Sequence, residues 1–269
     1  PEAATRRLAQ YSRAACLRRQ RDHWSYAGEP PPIWKPVVTA GTHQPPIRRF
    51  DHRCLHGLGD DGKASSRLKV AEVPFAVIDF ESAGSGPGLT DEPVQIAVIH
   101  WSGEEIKTAL NSYLRPSRKV TWSAKEVHGI GDELLVGAPL FMDLWPQVKT
   151  SLSTRWVVAH GAATEKRFLR VFPFHGFGPW VDTLTLTRAV YPSLSSHALG
   201  DAVEKLGLTA QLPTAGFRWH DACSDAVATA ILLRHLIQVT EIGQEPAEIL
   251  TRPNLTEYFS HRREKFRQA

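Results

Sequence analysis

Apolar residues cluster early in the chain as short continuous runs, and the first of these is followed at once by acids. Residues 75–82 read Phe-Ala-Val-Ile-Asp-Phe-Glu-Ser, with small residues directly after them. A continuous apolar run that ends at a glycine-containing turn predicts a strand buried on both faces, as in the middle of an α/β sheet. Apolar runs at 94–101 and 105–114 predict two further strands, which follow the first as antiparallel neighbours.

The second half of the chain is dominated by helical periodicity. Short apolar runs at 155–159 and 180–183 predict two more strands. Helices are predicted over 139–152, 164–171, 184–190, 197–206 and 221–239, and residues 127–130 are predicted to open another helical region. Strands early and helices late predict an α/β domain, in which helices cover a mixed sheet.

The first seventy residues differ in composition from the rest. Residues 2–22 have helical spacing and predict a basic amphipathic helix, and the Pro- and Gly-rich stretch 28–69 predicts an extended arm or linker. Residues 1–70 hold 13 Lys+Arg against 6 Asp+Glu, a net charge of +7, whereas residues 71–269 carry −3. We therefore divide the chain into a basic helix and arm (1–70), a main domain (71–240) and a C-terminal tail (241–269). The basic extension is compatible with contact to nucleic-acid phosphates, and equally with a solvated tail that has no particular partner.

Composition narrows the class of protein and its compartment. The 269 residues are 42% apolar and 22% charged, which is ordinary for a soluble globular protein. We expect no membrane span, because no apolar run approaches roughly 18 residues, and no signal peptide, because the first twenty residues lack an apolar centre. Cys16, Cys54 and Cys223 form no Cys-x-x-Cys pair, which argues against a thiolate zinc site or a disulfide framework. A reducing compartment, and hence a cytoplasmic location, is expected.

The first candidate chemistry lies at the end of the predicted strand 75–82. Side chains alternate along a strand, so Asp79 and Glu81 are expected to point to the same side. Two neighbouring acids repel one another, and Mg²⁺ or Mn²⁺ suits carboxylate oxygens. Taken alone, the pair is a weak signal, and two solvated acids at a strand end are the better interpretation of it.

Two later segments supply further candidates. In the first, a strand ends at His160 and a helix follows, which puts Glu165 near the open end of the sheet. In the second, His220 precedes the last predicted helix and Asp225 lies in its opening turns. A spacing of five does not place two side chains on one helical face, so we expect His220 in the loop, above a site that Asp225 enters from the helix. Each segment alone also fits a helix cap or surface acid beside a histidine without a special role.

The ordered combination of these motifs resembles a known family. The chain shows Asp-x-Glu after a buried strand, then Ala-His-x-Ala-x-x-acid-x-x-Phe-Leu, then His-x-x-x-x-Asp at the head of a terminal helix. This order resembles the DEDDh group of 3′-5′ exonucleases, the DnaQ-like enzymes, over about residues 74 to 237. The connecting segments 127–130, 181–184, 191–192 and 197–199 also look like landmarks of that family.

The resemblance implies a ribonuclease H-like fold, with a mixed sheet of about five strands, and two divalent ions, Mg²⁺ or Mn²⁺, held among four carboxylates. By matching positions, Asp79, Glu81 and Asp225 are expected to bind one ion, and Asp79 to bridge to the second. Glu165 stands where the family has its third acid, and His220 is the expected general base. The implied partner is a single-stranded or frayed 3′ end, DNA in preference to RNA, with a polymerase or repair protein as a further candidate.

The residue types suit this chemistry independently of the family. Two cations roughly 4 Å apart can activate a water and stabilise the leaving oxygen of a phosphodiester. A neutral imidazole near pH 7 can accept the proton of that water. The sequence offers no Gly-x-Ser-x-Gly elbow, Walker loop or His-Glu-x-x-His motif for a rival chemistry.

Several positions depart from the usual family pattern and leave alternatives open. Ser82 replaces Thr, and in the second motif Gly161, Thr164 and Glu165 stand in place of Asn, Phe and Asp. Glu reaches further by one methylene, so a second ion would be held through water or at a shifted position. A catalytically weak module that binds nucleic acid or assists assembly is therefore one alternative, and an RNA-trimming exoribonuclease is another. Phe80 alternates away from the acids and is expected to belong to the core.

Overall fold

The strand that ends in the two acids occupies the centre of a five-stranded sheet in the computed structural model, which describes residues 68–88, 90–103 and 105–268. The strands are β1 (Phe75–Ser82), β2 (Pro93–Ser102), β3 (Glu105–Tyr113), β4 (Trp156–Ala159) and β5 (Trp180–Asp182). Their order is β3-β2-β1-β4-β5; β1 to β3 form an antiparallel meander, and β4 and β5 run parallel to β1. The predicted mixed sheet of an α/β domain is therefore confirmed.

Seven α-helices flank this sheet in the part of the chain that the structure describes. They are α1 (Trp122–His128), α2 (Trp145–Leu152), α3 (Ala163–Leu169), α4 (Thr183–Val190), α5 (Leu199–Lys205), α6 (Ala222–Val239) and α7 (Leu255–Gln268). Single 3-10 turns lie at Val70–Glu72, Asp132–Leu135, Phe141–Leu144, Thr209–Gln211 and Ala247–Thr251. The helices bury both faces of the central strand, which explains why β1 reads as a continuous apolar run.

Alternate residues of β1 belong to two separate cores. Phe75 and Val77 pack in the larger core with buried residues of α6, whereas Ile78 and Phe80 pack in the smaller core with α2 and α3. The pleat puts residues of the same parity on the same face, so odd-numbered positions of β1 face α6. The expectation that Phe80 is a core residue is confirmed, since it is buried and contacts the rings of Phe141 and Phe168.

Helix α6 is the main helix of the larger core. Its 18 residues have a mean hydropathy of 1.2, and by length and composition alone it could cross a membrane, although 61% of it is buried within the fold. Ala226, Ala230 and Leu233 are all fully buried in the core that also contains Val77 of β1. The apolar character of α6 is thus explained by its packing against the sheet.

The predicted helical opening at 127–130 is wrong, because α1 ends there. Thr121 caps the start of α1 by accepting a hydrogen bond from the backbone N–H of Ala124. Gly129 then takes the left-handed conformation, with φ of 73°, and its N–H donates to the carbonyl oxygen of Lys125 at 2.7 Å. Glycine in this conformation is the usual end of a helix, and the His-Gly pair is therefore a stop signal.

The predicted helix over 139–152 is also corrected. Its first part is the 3-10 turn Phe141–Leu144, and the α-helix proper begins only at Trp145. Pro146 lies in the first turn of α2, where a missing N–H is tolerated, and it favours a helix start at this point.

Two segments named from the sequence lie at the margins of the fold. The stretch 241–269 contributes Ile242, Leu250 and Phe259 to the larger core, and Lys69 forms an isolated bridge with Pro246. The predicted basic helix at 2–22 and nearly all of the arm up to residue 70 lie outside the described residues, so the role assigned to 1–70 stays a prediction.

We expect Leu232→Ala to destabilise the protein by about 2 to 5 kcal/mol, because its fully buried side chain would leave a cavity between α6 and the sheet. Val239→Ala at the exposed end of the same helix is the control and should change the free energy of unfolding by about 0.5 kcal/mol or less. Urea denaturation compares the two variants. Equal effects would contradict the placement of α6 in the core.

Candidate active site

The carboxyl end of β1 places Asp79 and Glu81 on the face of the sheet that α6 covers. Both acids lie at odd-numbered positions, on the same face of β1 as Val77, which packs in the larger core with α6. Phe80 lies between them and packs in the smaller core on the other face. Both acids are partly buried. The strand therefore delivers two carboxylates side by side beneath the start of a helix.

The N-terminus of α6 brings a third acid and a histidine to the same place. Asp225 lies in the first turn of α6, and His220 lies in the turn before it with φ of 61°. The backbone N–H of His220 donates to Oδ2 of Asp225 at 3.3 Å. One ligand atom each from Glu81, His220 and Asp225 lie within 4.8 Å of one another. The arrangement agrees with the expected loop histidine above a helical acid.

A glutamine on β2 fixes the start of α6 against the sheet. Gln95 lies opposite Glu81 in the register of β1 and β2. Its Nε2 donates to Oδ2 of Asp221 at 2.9 Å, and its Oε1 accepts from the backbone N–H of Ala222 at 3.2 Å. Asp221 is the N-cap of α6 and accepts from the N–H of Ser224 at 3.1 Å. Sequence reasoning missed both residues. A signal existed for Asp221 alone, because Asp-x-x-Ser before an apolar helix is a recognisable capping pattern.

A buried histidine supports the strand end from the other direction. Nδ1 of His128 accepts the N–H of Ile130 at 3.0 Å, so its Nε2 carries the proton and donates to the carbonyl oxygen of Ser82 at 2.9 Å. Burial lowers the pKa of His128, which favours this neutral form. The landmark at 127–130 thus anchors the residue that directly follows Glu81.

The loop after β1 is held to the rest of the domain by Arg118. Its guanidinium donates to the carbonyl oxygens of Thr90 at 3.0 Å and of Gly84. Gly84 has φ of 82°, and a Cβ there would lie 2.3 Å from Oγ1 of Thr121, so only glycine fits. The loop that flanks the acids is therefore fixed at its start.

Glu165 reaches the site from α3, and Asp182 positions the loop that precedes this helix. Asp182 accepts hydrogen bonds from the backbone N–H groups of Gly161 at 3.0 Å and Ala162 at 3.2 Å, and it also caps α4 through the N–H of Leu184. Glu165 is 5% exposed, and its Oε2 has no hydrogen-bond partner among the described residues. Its charge acts on Asp79, but it is not one of the three residues whose ligand atoms meet within 4.8 Å.

Further family landmarks form a partly buried polar network behind the site. Nδ1 of His160 lies 3.0 Å from Oγ1 of Thr183, and its Nε2 lies 2.9 Å from the carbonyl oxygen of His197. His197 in turn contacts the carbonyl oxygen of Tyr191 through Nε2 at 3.0 Å. These residues connect β4, α4 and the segment before α5, and their role is structural.

Burial and mutual repulsion raise the pKa values of the acids and so favour their protonated, uncharged forms. Burial, followed by the charges of Asp225 and Glu81, raises the pKa of Asp79 well above its usual range. Burial and then Asp225 raise the pKa of Glu81 to about 8. Burial raises the pKa of Asp225 to about 7 against the opposing N–H of His220, and burial also raises the pKa of Glu165 to about 7. In the absence of a cation, the folded site therefore retains protons that the unfolded chain would lose.

The donor set fits a divalent metal ion. Oδ1 of Asp225 and Oε2 of Glu165 are buried without a hydrogen-bond partner among the described residues. Such atoms are costly to bury unless they are coordinated or protonated. Partial desolvation lowers the pKa of His220, so its ring can serve as a neutral base or ligand near pH 7. Clustered carboxylate oxygens are the ligands that hard cations prefer.

Comparison with known proteins settles the family. A family model described as Exonuclease matches residues 76–233, more than half of the chain. The chain belongs to the exonuclease family. The resemblance to DEDDh 3′-5′ exonucleases is thereby confirmed, and so is the ribonuclease H-like mixed sheet.

Relatives of this exonuclease-family chain include larger proteins. A DNA polymerase III of PolC type from Thermotoga maritima is 32% identical over 195 residues, which cover 70% of this chain and 13% of that protein. The 3′-5′ exonuclease DinG from Bacillus subtilis is 25% identical over 170 residues, which cover 61% of this chain and 18% of DinG. The chain thus corresponds to a small part of the length of these relatives.

Solved structures show the same fold. Exonuclease X in complex with 5′ overhanging duplex DNA has a TM-score of 0.56 and 25% identity, and the match covers 66% of this chain and 99% of that one. The nuclease domain of 3′hExo, described as a DEDDh family member bound to rAMP, has a TM-score of 0.54 and 18% identity, with 66% and 97% covered.

We expect the metal-free protein to lose stability as pH rises from about 4 to about 8. The raised carboxyl pKa values mean that the folded state binds more protons than the unfolded chain between these pH values. The free energy of unfolding therefore decreases as pH rises. Asp225→Asn removes one of these groups and should raise the free energy of unfolding by about 1 to 3 kcal/mol at pH 8 and by little near pH 4.

The measurement is urea denaturation in EDTA at both pH values. Asp201→Asn is the matched control, because Asp201 also lies in the first turn of a helix, α5, but is exposed. A destabilised Asp225→Asn variant at pH 8 would show that the carboxylate is not under repulsion.

Proposed function

We propose that this chain is a metal-dependent 3′-5′ exonuclease that hydrolyses phosphodiester bonds at the 3′ ends of single-stranded nucleic acid, with DNA as the favoured substrate. The observation that carries the proposal is the meeting of Glu81, His220 and Asp225 within 4.8 Å at the end of the strand that also bears Asp79. A cluster of partly desolvated acids beside a neutral imidazole is suited to hydrolysis assisted by metal ions.

The residues that would hold the ions follow from this placement. Asp79, Glu81 and Asp225 would hold one Mg²⁺ or Mn²⁺, and Asp79 would be shared with a second ion on the side of Glu165. When bound, the ions would supply positive charge to activate a water and to stabilise the leaving oxygen of the phosphodiester. The buried free oxygen of Glu165 supports a role for this acid although it replaces the usual Asp.

His220 is the proposed general base. The lowered pKa of its ring leaves it neutral at pH 7, in the state that accepts a proton from the attacking water. Trp219 and the N-cap Asp221 flank it, and its own N–H is bonded to Asp225, so the backbone position of the base is fixed. Because His220 is exposed, the proton it takes up can pass to solvent.

The choice of substrate and partner rests on the relatives. The proteins similar in sequence are named as DNA polymerase III of PolC type and as a 3′-5′ exonuclease, and exonuclease X was solved with overhanging duplex DNA. These names support DNA over RNA, and the polymerase relatives support a polymerase as partner, with a repair protein as the alternative. Because Asp79 and Glu81 are partly buried beneath the start of α6, an unpaired end is favoured over a duplex terminus, which would have to fray to reach them.

Cleavage of a 5′-labelled single strand tests the proposal. The wild-type protein with Mg²⁺ or Mn²⁺ should shorten the strand stepwise from its 3′ end, and EDTA should stop the reaction. Asp225→Ala should reduce cleavage to background, and His220→Ala should reduce the rate by about 10²- to 10⁴-fold, the usual contribution of a general base. His261→Ala, at an exposed position of α7, is the control for the histidine change and should retain the full rate.

The same assay separates the alternatives. A strand that is bound but not shortened would favour the nucleic-acid-binding module over the nuclease. Faster degradation of an RNA strand of the same sequence would favour the exoribonuclease. Full activity of Asp225→Ala or His220→Ala would remove that residue from the catalytic set.

A further inference from the structure

The segment that carries His220 presents a second side chain toward the site. Between Phe217 and His220, exposure alternates: Phe217 and Trp219 are partly buried against the larger core, whereas Arg218 and His220 are exposed. The rings of Phe217 and Trp219 meet edge to face, with centroids 4.9 Å apart, and the indole of Trp219 lies over Gly200. Two aromatic anchors thus fix the backbone and leave Arg218 on the side from which His220 reaches the acids.

Local contacts define the course of the Arg218 side chain. Its backbone N–H donates to Oγ of Ser224 in the first turn of α6 at 3.2 Å. Its guanidinium lies beside the turn that ends α1, where a Cβ on Gly129 would be 3.5 Å from Nη1. The side chain of Arg218 therefore extends from the start of α6 toward the end of α1, within electrostatic range of Glu81.

The charge of Arg218 influences the site, but its side chain forms no ion pair with the acids. Burial raises the pKa of Glu81 and of Tyr113, and the charge of Arg218 opposes both increases. Burial lowers the pKa of His128, and Arg218 adds to that decrease, so the guanidinium lies within electrostatic range of all three groups. Within residues 68–88, 90–103 and 105–262, however, no hydrogen bond or ion pair engages its side-chain nitrogens. If the role of Arg218 were to neutralise the acids, its guanidinium would be expected to form an ion pair with one of them. Instead, its N–H groups remain available to bind a ligand.

We propose that Arg218 holds a phosphate group of the nucleic-acid strand next to the ion site. This inference rests on the proposed nuclease function and assigns to it a residue that directly contacts the substrate. A guanidinium can bind two phosphate oxygens at once, and at this position it would fix the strand relative to Glu81 and His220. Arg218 would thus orient the strand, whereas the acids hold the ions.

Binding, measured apart from cleavage, tests the contact. A 5′-fluorescein single-stranded oligonucleotide is titrated with full-length protein in Ca²⁺, and gels confirm that the strand stays intact. Affinity is followed by fluorescence anisotropy between about 50 and 200 mM KCl, where each phosphate contact adds roughly 0.7 to the salt slope for a single strand. Thermal melts confirm that each variant is folded.

Three variants give distinct expectations. Arg218→Gln should weaken binding about tenfold at low salt and reduce the salt slope by about 0.7, because one charged phosphate contact is lost. Arg218→Lys should keep the slope and lose only part of the affinity, since the charge remains but the two-pronged geometry does not. Arg252→Gln is the matched control; this exposed arginine lies over the ring of Tyr258 and should leave both quantities unchanged.

The outcomes separate this inference from the proposed function. An unchanged salt slope in Arg218→Gln, with or without a loss of affinity, would overturn the phosphate contact even if the wild-type protein degrades the strand. Conversely, a protein that fails to cleave but shows the predicted loss of slope would overturn the nuclease proposal and retain Arg218 as a binding residue. Mn²⁺ binding should be the same in Arg218→Gln and wild type, and a large loss would mean that Arg218 shapes the ion site instead.

Discussion

Repulsion among carboxylates at the end of one buried strand is the constraint on which the rest of this structure depends. Asp79 and Glu81 leave β1 on the same face, and Asp225 meets them from α6, so three carboxyl groups share a partly desolvated space. A folded protein tolerates such a group only if protons or cations offset it. The raised pKa values favour protons in this role when no metal ion is bound, and a divalent cation can then displace these protons.

Holding these acids together requires a scaffold that opposes their separation. The scaffold is built of neutral or internally paired polar residues: His128 behind the strand end, Gln95 across the start of α6, and Asp182 beneath the loop before α3. Each satisfies backbone groups that would otherwise be buried without a partner. The landmarks between the acidic motifs are therefore supports with separate structural tasks, which accounts for the specificity of the combined pattern.

The central features of the fold could be predicted because each has a strong local signal. The apolar run of β1 and the long apolar face of α6 determine the sheet and its main helix, and the spacing of His220 and Asp225 required a loop followed by a helix. Residues 127–130 were predicted to open a helix, whereas α1 ends at His128, because Gly129 takes the left-handed conformation that terminates a helix. Where a side chain reaches through space, as Gln95 does toward Asp221, local sequence carries no signal, since the contact depends on strand register.

Arg218 illustrates the same limit at the site. In the sequence it is one arginine in a chain with many, and only the aromatic anchors on either side and the nearby turn at Gly129 show that it extends along the edge of the acids. Its position gives the site a cationic edge beside an anionic centre. A strand of nucleic acid would meet both, the first through a phosphate and the second through the ions that the acids hold.

Anomalous scattering from crystals grown with Mn²⁺ near pH 8 tests the central claim most directly. The account predicts manganese density among the carboxylates of Asp79, Glu81 and Asp225, with metal-to-oxygen distances of about 2.1 Å. The absence of density there, with the three carboxylates still packed together, would contradict it, because protons alone would then be sufficient to offset their repulsion.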